Sequence, residues 1–364
     1  MQTTVDNRSE GTVTTSQASS PQPERDSPDV LLERIQAVVE DDLLRGARKY
    51  DREQTVALSG VPLDRAQRLW TAMGFAAAED PHEVMFTDDD VEALRLLDSL
   101  ITSGIVEPDL EVAVTRALGQ TFSRLADWQV TLMGRHVLRR LSINADNLDQ
   151  TDHDEVVDAI RETAVEIVPV IEALQSYVWR RHLAAVAGRS LVLPDDKRTG
   201  RTQVVGFADM VGYTSLTRRI DITELSTLLE DFESTATAVI AQRRGWVIKN
   251  VGDEVMFAVE DPSDAAAIAL ELQSSVHADD GLPALRIGMA LGPVLVRFGD
   301  AYGSVVNIAA RLTSAAKPGT ILLDAELADV LGDAPDLRVK ALRSMRVRGF
   351  HKLKPYVLRG PKPR

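Results

Sequence analysis

No cysteine occurs in the 364 residues, which removes disulfides, thiolate zinc sites and Cys nucleophiles together. No apolar run approaches the roughly 18 residues that a membrane span requires, and no signal peptide opens the chain. Basic residues are in deficit: 41 Lys and Arg stand against 55 Asp and Glu, a formal net charge of −14. That balance argues against general binding to nucleic acid or to an anionic membrane. What remains is a chain long enough for two domains, each with its own core, expected to be soluble and cytoplasmic.

Residues 1–27 are rich in Ser, Thr, Gln and Pro with no apolar period, and are expected to be disordered. A helix is predicted from Asp29, with Val30, Leu31, Ile35 and Val38 at helical spacing. Residues 52–70 read as helix, Gly60 turn, then a second helix with Pro62 near its start and an end near Gly74. Thr87-Asp-Asp-Asp90 resembles a capping box opening a helix that carries Val91, Leu94, Leu97 and Ile101 inward. Helices continue over Pro108–Leu141 and from Asp154 to about Ala187, where Gly188 is the expected stop. Pro169 is expected to kink or interrupt the latter. Phe122, Leu125, Trp128, Leu132 and Val137 form one apolar stripe, and Val157, Ile160, Ala164, Ile167 and Ile171 another. Both read as core faces.

The pair of short helices around Gly60 resembles the helix-turn-helix of MerR-type regulators. Between Asp51 and Leu100, however, eleven Asp or Glu stand against four Arg and no Lys. Phosphate contact needs the opposite sign. A structural helical module is the better reading.

Composition shifts at Pro194–Gly200, and residues 191–200 read as a linker. Beyond it the pattern alternates. Val204–Ala208 is a predicted strand and Ile222–Gln242 a helix, followed by Val247, Ile248 and Val251 leading into Gly252-Asp253. Val255, Met256 and Phe257 lead out again, so a two-residue hairpin turn presents Asp253 at its tip. A helix over Ser263–Val276 comes next, then Leu285–Leu291 and Val294–Val296 as paired strands around Gly292-Pro293. Gly303–Ala316 is a helix and Thr320–Leu323 a strand, with Arg346–Phe350 and Tyr356–Leu358 finishing the sheet. The β-α-β-β-α-β order predicts an α+β, ferredoxin-like antiparallel sheet with helices packed on it.

Chemistry gathers in three places. Phe207-Ala-Asp209-Met-Val-Gly-Tyr-Thr-Ser215 ends a strand with a carboxylate and a Gly turn. Asp209 and Asp253 become neighbours if their strands pair centrally, and two carboxylates with phosphate oxygens suit Mg²⁺ or Mn²⁺. Backbone N–H groups of Val211, Gly212, Tyr213 and Thr214 open the next helix and could cradle a triphosphate. Further on, Asp300, Asn307 and Arg311 follow at spacings of seven and four, the last two on one helix face. An Arg there could meet charge developing on a transferring phosphoryl group. Lys249 stands four positions before Asp253.

Together, Phe-x-Asp-x-x-Gly-Tyr-Thr, Lys-x-x-Gly-Asp and Asp-x6-Asn-x3-Arg resemble, over residues 201–360, the catalytic domain of class III nucleotidyl cyclases. The resemblance implies that Asp209 and Asp253 hold two metal ions, Mg²⁺ or Mn²⁺, and that Asn307 and Arg311 orient and stabilise the transition state. It also implies a head-to-tail homodimer, in which the metal ligands of one chain face Lys249, Asp300, Asn307 and Arg311 of the other. Lys249 only donates and ionised Asp300 only accepts, which matches adenine N1 and N6 and mismatches guanine. ATP, converted to cyclic AMP and pyrophosphate, is therefore the expected substrate. No side chain stands out as a dedicated base, so the proton's first acceptor stays open. Family members usually carry a C-terminal Lys that reaches the triphosphate; here Arg346, Arg348, Lys352 and Lys354 are nearby, and position favours Arg348.

The helical half, 28–190, is similar to the N-terminal regulatory domain of soluble mycobacterial and related actinobacterial adenylyl cyclases, chiefly through Val114–Asp127. Relatives include enzymes inhibited at neutral pH and released by acid, some with a lipid-binding cavity, so the resemblance admits pH sensing and a lipid or fatty-acid ligand. His182 and His351 are the first candidates for the sensor, since His titrates near neutrality. The alternative is a nucleotide-sensing regulator whose helix-turn-helix-like module binds DNA or a protein.

Overall fold

The computed structural model describes residues 28–44, 46–75, 80, 82–143, 151–190, 201–278, 283–347 and 350–361. The expected tail 1–27 and linker 191–200 lie outside them. The chain divides into two compact units, Met1–His182 and Leu183–Arg364.

The first unit is helical among its described residues: α1 (Pro28–Leu43), α2 (Arg52–Ser59), α3 (Leu63–Met73), α4 (Asp88–Thr102), α5 (Glu111–Arg140) and α6 (His153–Ser190). Its starts and stops are chemical. Asp51 with Gln54, and Thr87 with Asp90, form reciprocal capping boxes, and Gly60 and Gly74 close α2 and α3 in the left-handed conformation. A small core of Val61, Ala66, Leu69 and Leu94 joins α2, α3 and α4. Three of the four arginines between Asp51 and Leu100 are committed to carboxylates: Arg65 to Asp98 and Glu111, Arg68 to Asp64, Arg95 to Glu92. This is the opposite of a phosphate-reading surface.

Three expectations fail here. Of the kink or interruption expected at Pro169 the interruption fails, and so does the stop at Gly188: α6 runs unbroken from His153 to Ser190. Pro169 lies on the exposed side, as does Val165 at 65% exposure, so water can satisfy the Val165 carbonyl that lacks its helical donor. The first apolar stripe is not a core face either. Val137 is buried, but Phe122, Trp128 and Leu132 are about half exposed, and Val170, Leu174 and Tyr177 on α6 are more exposed still. Periodicity reports that a helix is two-faced; it does not say that the same chain covers the apolar face.

In the second unit, β1 (Arg201–Met210), α7 (Tyr213–Leu216), α8 (Ile222–Gln242), β2 (Trp246–Val251), β3 (Glu254–Val259), α9 (Pro262–Ala278) and β4 (Leu285–Arg297) build the ferredoxin-like core. The sheet order is β2-β3-β1-β4, with β1 antiparallel to both neighbours. After β5 (Asp300–Tyr302) and α10 (Ser304–Ala315), β6 (Thr320–Leu323) adds parallel to β4. α11 (Ala325–Leu331) and β7 (Arg338–Ala341) precede a separate hairpin, β8 (Met345–Val347) and β9 (Phe350–Leu353); β10 (Tyr356–Arg359) then inserts between β6 and β7. The segment Arg346–Phe350, expected as one strand of the main sheet, is thus two strands that pair with each other. Leu285–Val296 is likewise one strand rather than a hairpin. Pro293 lies past the stretch that pairs with β6, where one edge of β4 has no ladder bond to lose.

Alternation along β1 sets the two layers. Val204, Ala208 and Met210 pack with residues of α8, α9 and α11, whereas Val205 and Phe207 pack with α10 through Val305 and Ala309. Asp209 follows Phe207 on the α10 side. Gly288 on β4 lets α10 lie directly on the sheet: a Cβ there would come within 2.2 Å of the Thr313 nitrogen and 2.5 Å of the Ala309 carbonyl oxygen. Backbone cannot yield as a side-chain tip can. Gly288→Ala is therefore expected to lower stability by about 2 kcal/mol or more, and to cut activity further if Asn307 and Arg311 on α10 serve the reaction as the family resemblance implies. Denaturant unfolding beside initial rates checks both.

Asp324, 5% exposed, caps α11 through the Leu327 N–H and also accepts from Leu291 N–H on β4. Burial pushes its carboxyl up to about 6. The native state therefore holds a proton that the unfolded chain has released, so this group's stabilisation is present at low pH and lost as pH rises through about 6. Asp324→Asn keeps an acceptor but cannot ionise. Stability measured from pH 4 to 7 should fall for the wild type relative to the variant, by on the order of 2–3 kcal/mol.

Candidate active site

The hairpin tip forms as the Gly-Asp pair dictates. Val251 pairs with Glu254, leaving Gly252 (φ 63°) and Asp253 as the turn. Because β3 pairs with β1, the tip lies beside the end of β1, and Met210 N–H donates to the Asp253 carbonyl at 3.1 Å. The Asp209 and Asp253 carboxyl groups lie within hydrogen-bonding reach of each other. Burial first, then the Asp209 charge, raise the Asp253 carboxyl above its ordinary range. Glu254, directly across from Asp209 in the β1–β3 register, is raised by burial and then by both aspartates.

Two crowded carboxylates need a cation, and the chain offers Arg286, which is paired with Asp209. Arg286 lies opposite Asp209 in the β1–β4 register. Sequence reading missed it, although a lone Arg in the otherwise apolar Leu285–Leu291 was a signal. Hard oxygen ligands held against mutual repulsion fit a Mg²⁺- or Mn²⁺-sized ion. Among the described residues no group of three or more acidic or imidazole side chains is arranged around a metal position. Water, backbone and substrate oxygens would complete the coordination.

On the same face of the sheet, Lys249 on β2 meets Asp300 on β5, with Nζ 2.9 and 2.8 Å from the two carboxylate oxygens. Asp300 also accepts from the Ala301 N–H, and the Lys249 hydrogen bond holds its carboxyl below the ordinary range. Asn307 and Arg311 are exposed on α10, while Val305, Ala309 and Leu312 of that helix are buried against the sheet. Arg311 has no ion-pair partner among the described residues. Within one chain, no described hydrogen bond or ion pair joins the Asp209–Asp253 pair to Lys249, Asp300, Asn307 or Arg311.

The backbone cradle is smaller than expected. Val211 N–H is taken by the Ala284 carbonyl at 2.8 Å, a continuation of the β1–β4 pairing. That leaves Gly212, which precedes a helix of only four residues, and Tyr213 and Thr214, which open it. Arg348 lies outside the described residues, as does the side chain of His351 in β9, and His182 is exposed on α6.

A mixed-sheet unit with paired carboxylates, preceded by a helical unit, is the architecture of a class III cyclase carrying a regulatory domain. Residues 197–360 match the adenylate and guanylate cyclase catalytic domain, and residues 18–179 match the adenylate cyclase regulatory domain. An adenylate cyclase of Streptomyces coelicolor is 39% identical over 320 residues, covering 86% of this chain and 81% of that one. An adenylate cyclase of Glutamicibacter nicotianae is 32% identical over 91% of this chain and 84% of its own. The pH-sensitive adenylate cyclase of Mycobacterium tuberculosis is 28% identical over 85% and 76%. The chain belongs to the adenylate cyclases. Among the described residues no helix is long and apolar enough to cross a membrane.

Proposed function

We propose that the enzyme converts ATP to 3′,5′-cyclic AMP and pyrophosphate at two composite sites of a homodimer. The observation that carries this reading is the Asp209–Asp253 pair, brought together from the end of β1 and the β2–β3 tip. These two residues would hold two Mg²⁺ or Mn²⁺ ions, which when bound lower the pKa of the attacking 3′-hydroxyl and neutralise the leaving pyrophosphate. Arg286, Gly212, Tyr213 and Thr214 would bind the triphosphate from the same chain, with Arg348 as a further basic contact. From the partner, Lys249 donates to adenine N1 and Asp300 accepts from N6–H, which leaves guanine mispaired. Asn307 orients the ribose, and Arg311 meets the charge that grows on the α-phosphoryl oxygens.

The exposed apolar residues of α5 and α6 support a second copy as their cover, since a monomer rarely leaves such a surface open. Phe122→Glu is expected to weaken self-association and lower specific activity at low protein concentration; sedimentation velocity beside activity checks it. The helical unit regulates the catalytic one, with pH as the proposed stimulus. His182 and His351 are the proposed sensors, and a His182→Ala, His351→Ala variant with an unchanged pH profile rules them out. A cavity of about 300 Å³ lined by Val56, Ala66, Trp70, Phe86 and Leu94, with Arg52 at its edge, is the space a fatty-acid ligand would enter.

The test is product formation from ATP and GTP with Mn²⁺ and Mg²⁺, comparing the full chain with residues 197–364 across roughly pH 5.5–8. Cyclic AMP from both, with the full chain low at neutral pH and rising in acid, is expected. Absence of product from folded, dimeric protein would sink the catalytic reading.

A further inference from the structure

The stretch Val114–Asp127 has no part in the cyclase chemistry, yet its polar residues converge. Arg116, Gly119, Gln120, Ser123 and Arg124 recur at steps of three and four, so they share one side of α5. They line an open cleft of about 570 Å³ whose other side is the C-terminal end of α3, Thr71 to Gly74. That volume is in the range of small-molecule sites. Gly119 lets the two backbones touch: a Cβ there would sit 2.3 Å from the Met73 carbonyl oxygen. One turn earlier on the same side, Thr115 is 1% exposed and its hydroxyl has no partner among the described residues.

The two arginines bracket the cleft two turns apart, about 12 Å along the helix axis. Neither has an ion-pair partner among the described residues, whereas Arg65, Arg68 and Arg95 of the same unit are all paired. Guanidinium groups with no carboxylate suit phosphate, which they grip bidentately. Across the cleft the end of α3 presents backbone and the Thr71 side chain rather than charge, with the Trp70 and Thr71 carbonyls already accepting from Gly74 and Phe75 N–H. An apolar ligand would leave the two guanidinium groups with water alone as partner, whereas a phosphate would engage them.

We propose that this cleft binds a sugar phosphate group, its phosphate between Arg116 and Arg124 and its hydroxyls toward the side chains of Gln120, Ser123 and Thr71. The site lies wholly in the helical unit and stands independently of the catalytic reading. It makes that unit a receptor for a phosphorylated metabolite.

The bland role for these arginines is to complement the α3 helix dipole, and the test separates the two. Ribose 5-phosphate is titrated calorimetrically into the full chain in EDTA; it lacks the base and triphosphate on which the cyclase site depends. The wild type is expected to bind, and the Arg116→Gln, Arg124→Gln double variant to bind roughly tenfold or more weakly, from loss of charge-assisted hydrogen bonds. Amide exchange should slow over residues 112–126 when the ligand is present. Equal affinity in both proteins, or no binding to the wild type, overturns the proposal. So does inorganic phosphate binding as tightly as ribose 5-phosphate, because the groups that meet the sugar hydroxyls would then be idle. A purely structural role predicts a lower melting temperature in the double variant and no ligand difference.

Discussion

Two inactive variants, Asp253→Asn and Arg311→Ala, are expected to recover activity when mixed, to about a quarter of the wild-type rate. The figure follows from a two-fold dimer whose sites each draw on both chains. Random exchange makes half the dimers mixed. A mixed dimer has one site with both defects and one site with neither. Each variant alone is expected to fall roughly a thousandfold or more, since on the proposed reading each removes an interaction aimed at transition-state charge. What motivates the composite site is that no described bond within one chain joins its two groups of residues. Lys249 and Asp300 are paired with each other at 2.8 Å, and Asp209 beside Asp253 is paired with Arg286. If one chain held a whole site, each variant would carry its own defect and mixing would restore nothing. Incubating the two at increasing total concentration, then measuring cyclic AMP formation, reads the outcome directly. Recovery that rises with concentration also reports the strength of subunit association.

How far the sequence carried this picture differs from residue to residue, for physical reasons. The hairpin at Gly252-Asp253 was legible because only a residue tolerant of φ 63° suits that position, and the β-prone runs on either side leave no other partner. Helix α8 was legible to its ends, since amphipathic spacing and caps are both local properties. The β8–β9 hairpin was not: its strands have three and four residues, too short for alternation to show whether they join the main sheet. Gly292-Pro293 looked like a turn because both residues favour one, but β1 pairs with β4 across them and tertiary pairing overrides the preference. Arg286 needed register rather than pattern, because its importance comes from lying opposite Asp209. The apolar stripe on α5 was read correctly as apolar and wrongly as covered. Val211 was placed correctly before its turn, but the Ala284 carbonyl had already claimed its N–H.

The Asp253→Asn variant carries a second expectation that separates a metal site from a structural carboxylate. In the metal-free protein the Asp253 carboxyl is raised by burial and by the Asp209 charge, so ionising it costs the folded state. Its stabilisation is present at low pH and lost as pH rises through its folded pKa. At pH 7.5 in EDTA the asparagine variant should therefore melt higher than the wild type, and the difference should close as the pH is lowered toward the carboxylate range. Millimolar Mn²⁺ is expected to reverse the order. An ion held by the proposed Asp209–Asp253 site would raise the melting temperature of the wild type by mass action, while the variant, with one of the two aspartates left, would gain little. Activity is expected to be lost in the variant under all of these conditions. A variant less stable than the wild type in EDTA would show that Asp253 serves the turn rather than the ion. A melting temperature that Mn²⁺ leaves unmoved in the wild type would remove the metal from the Asp209–Asp253 pair altogether.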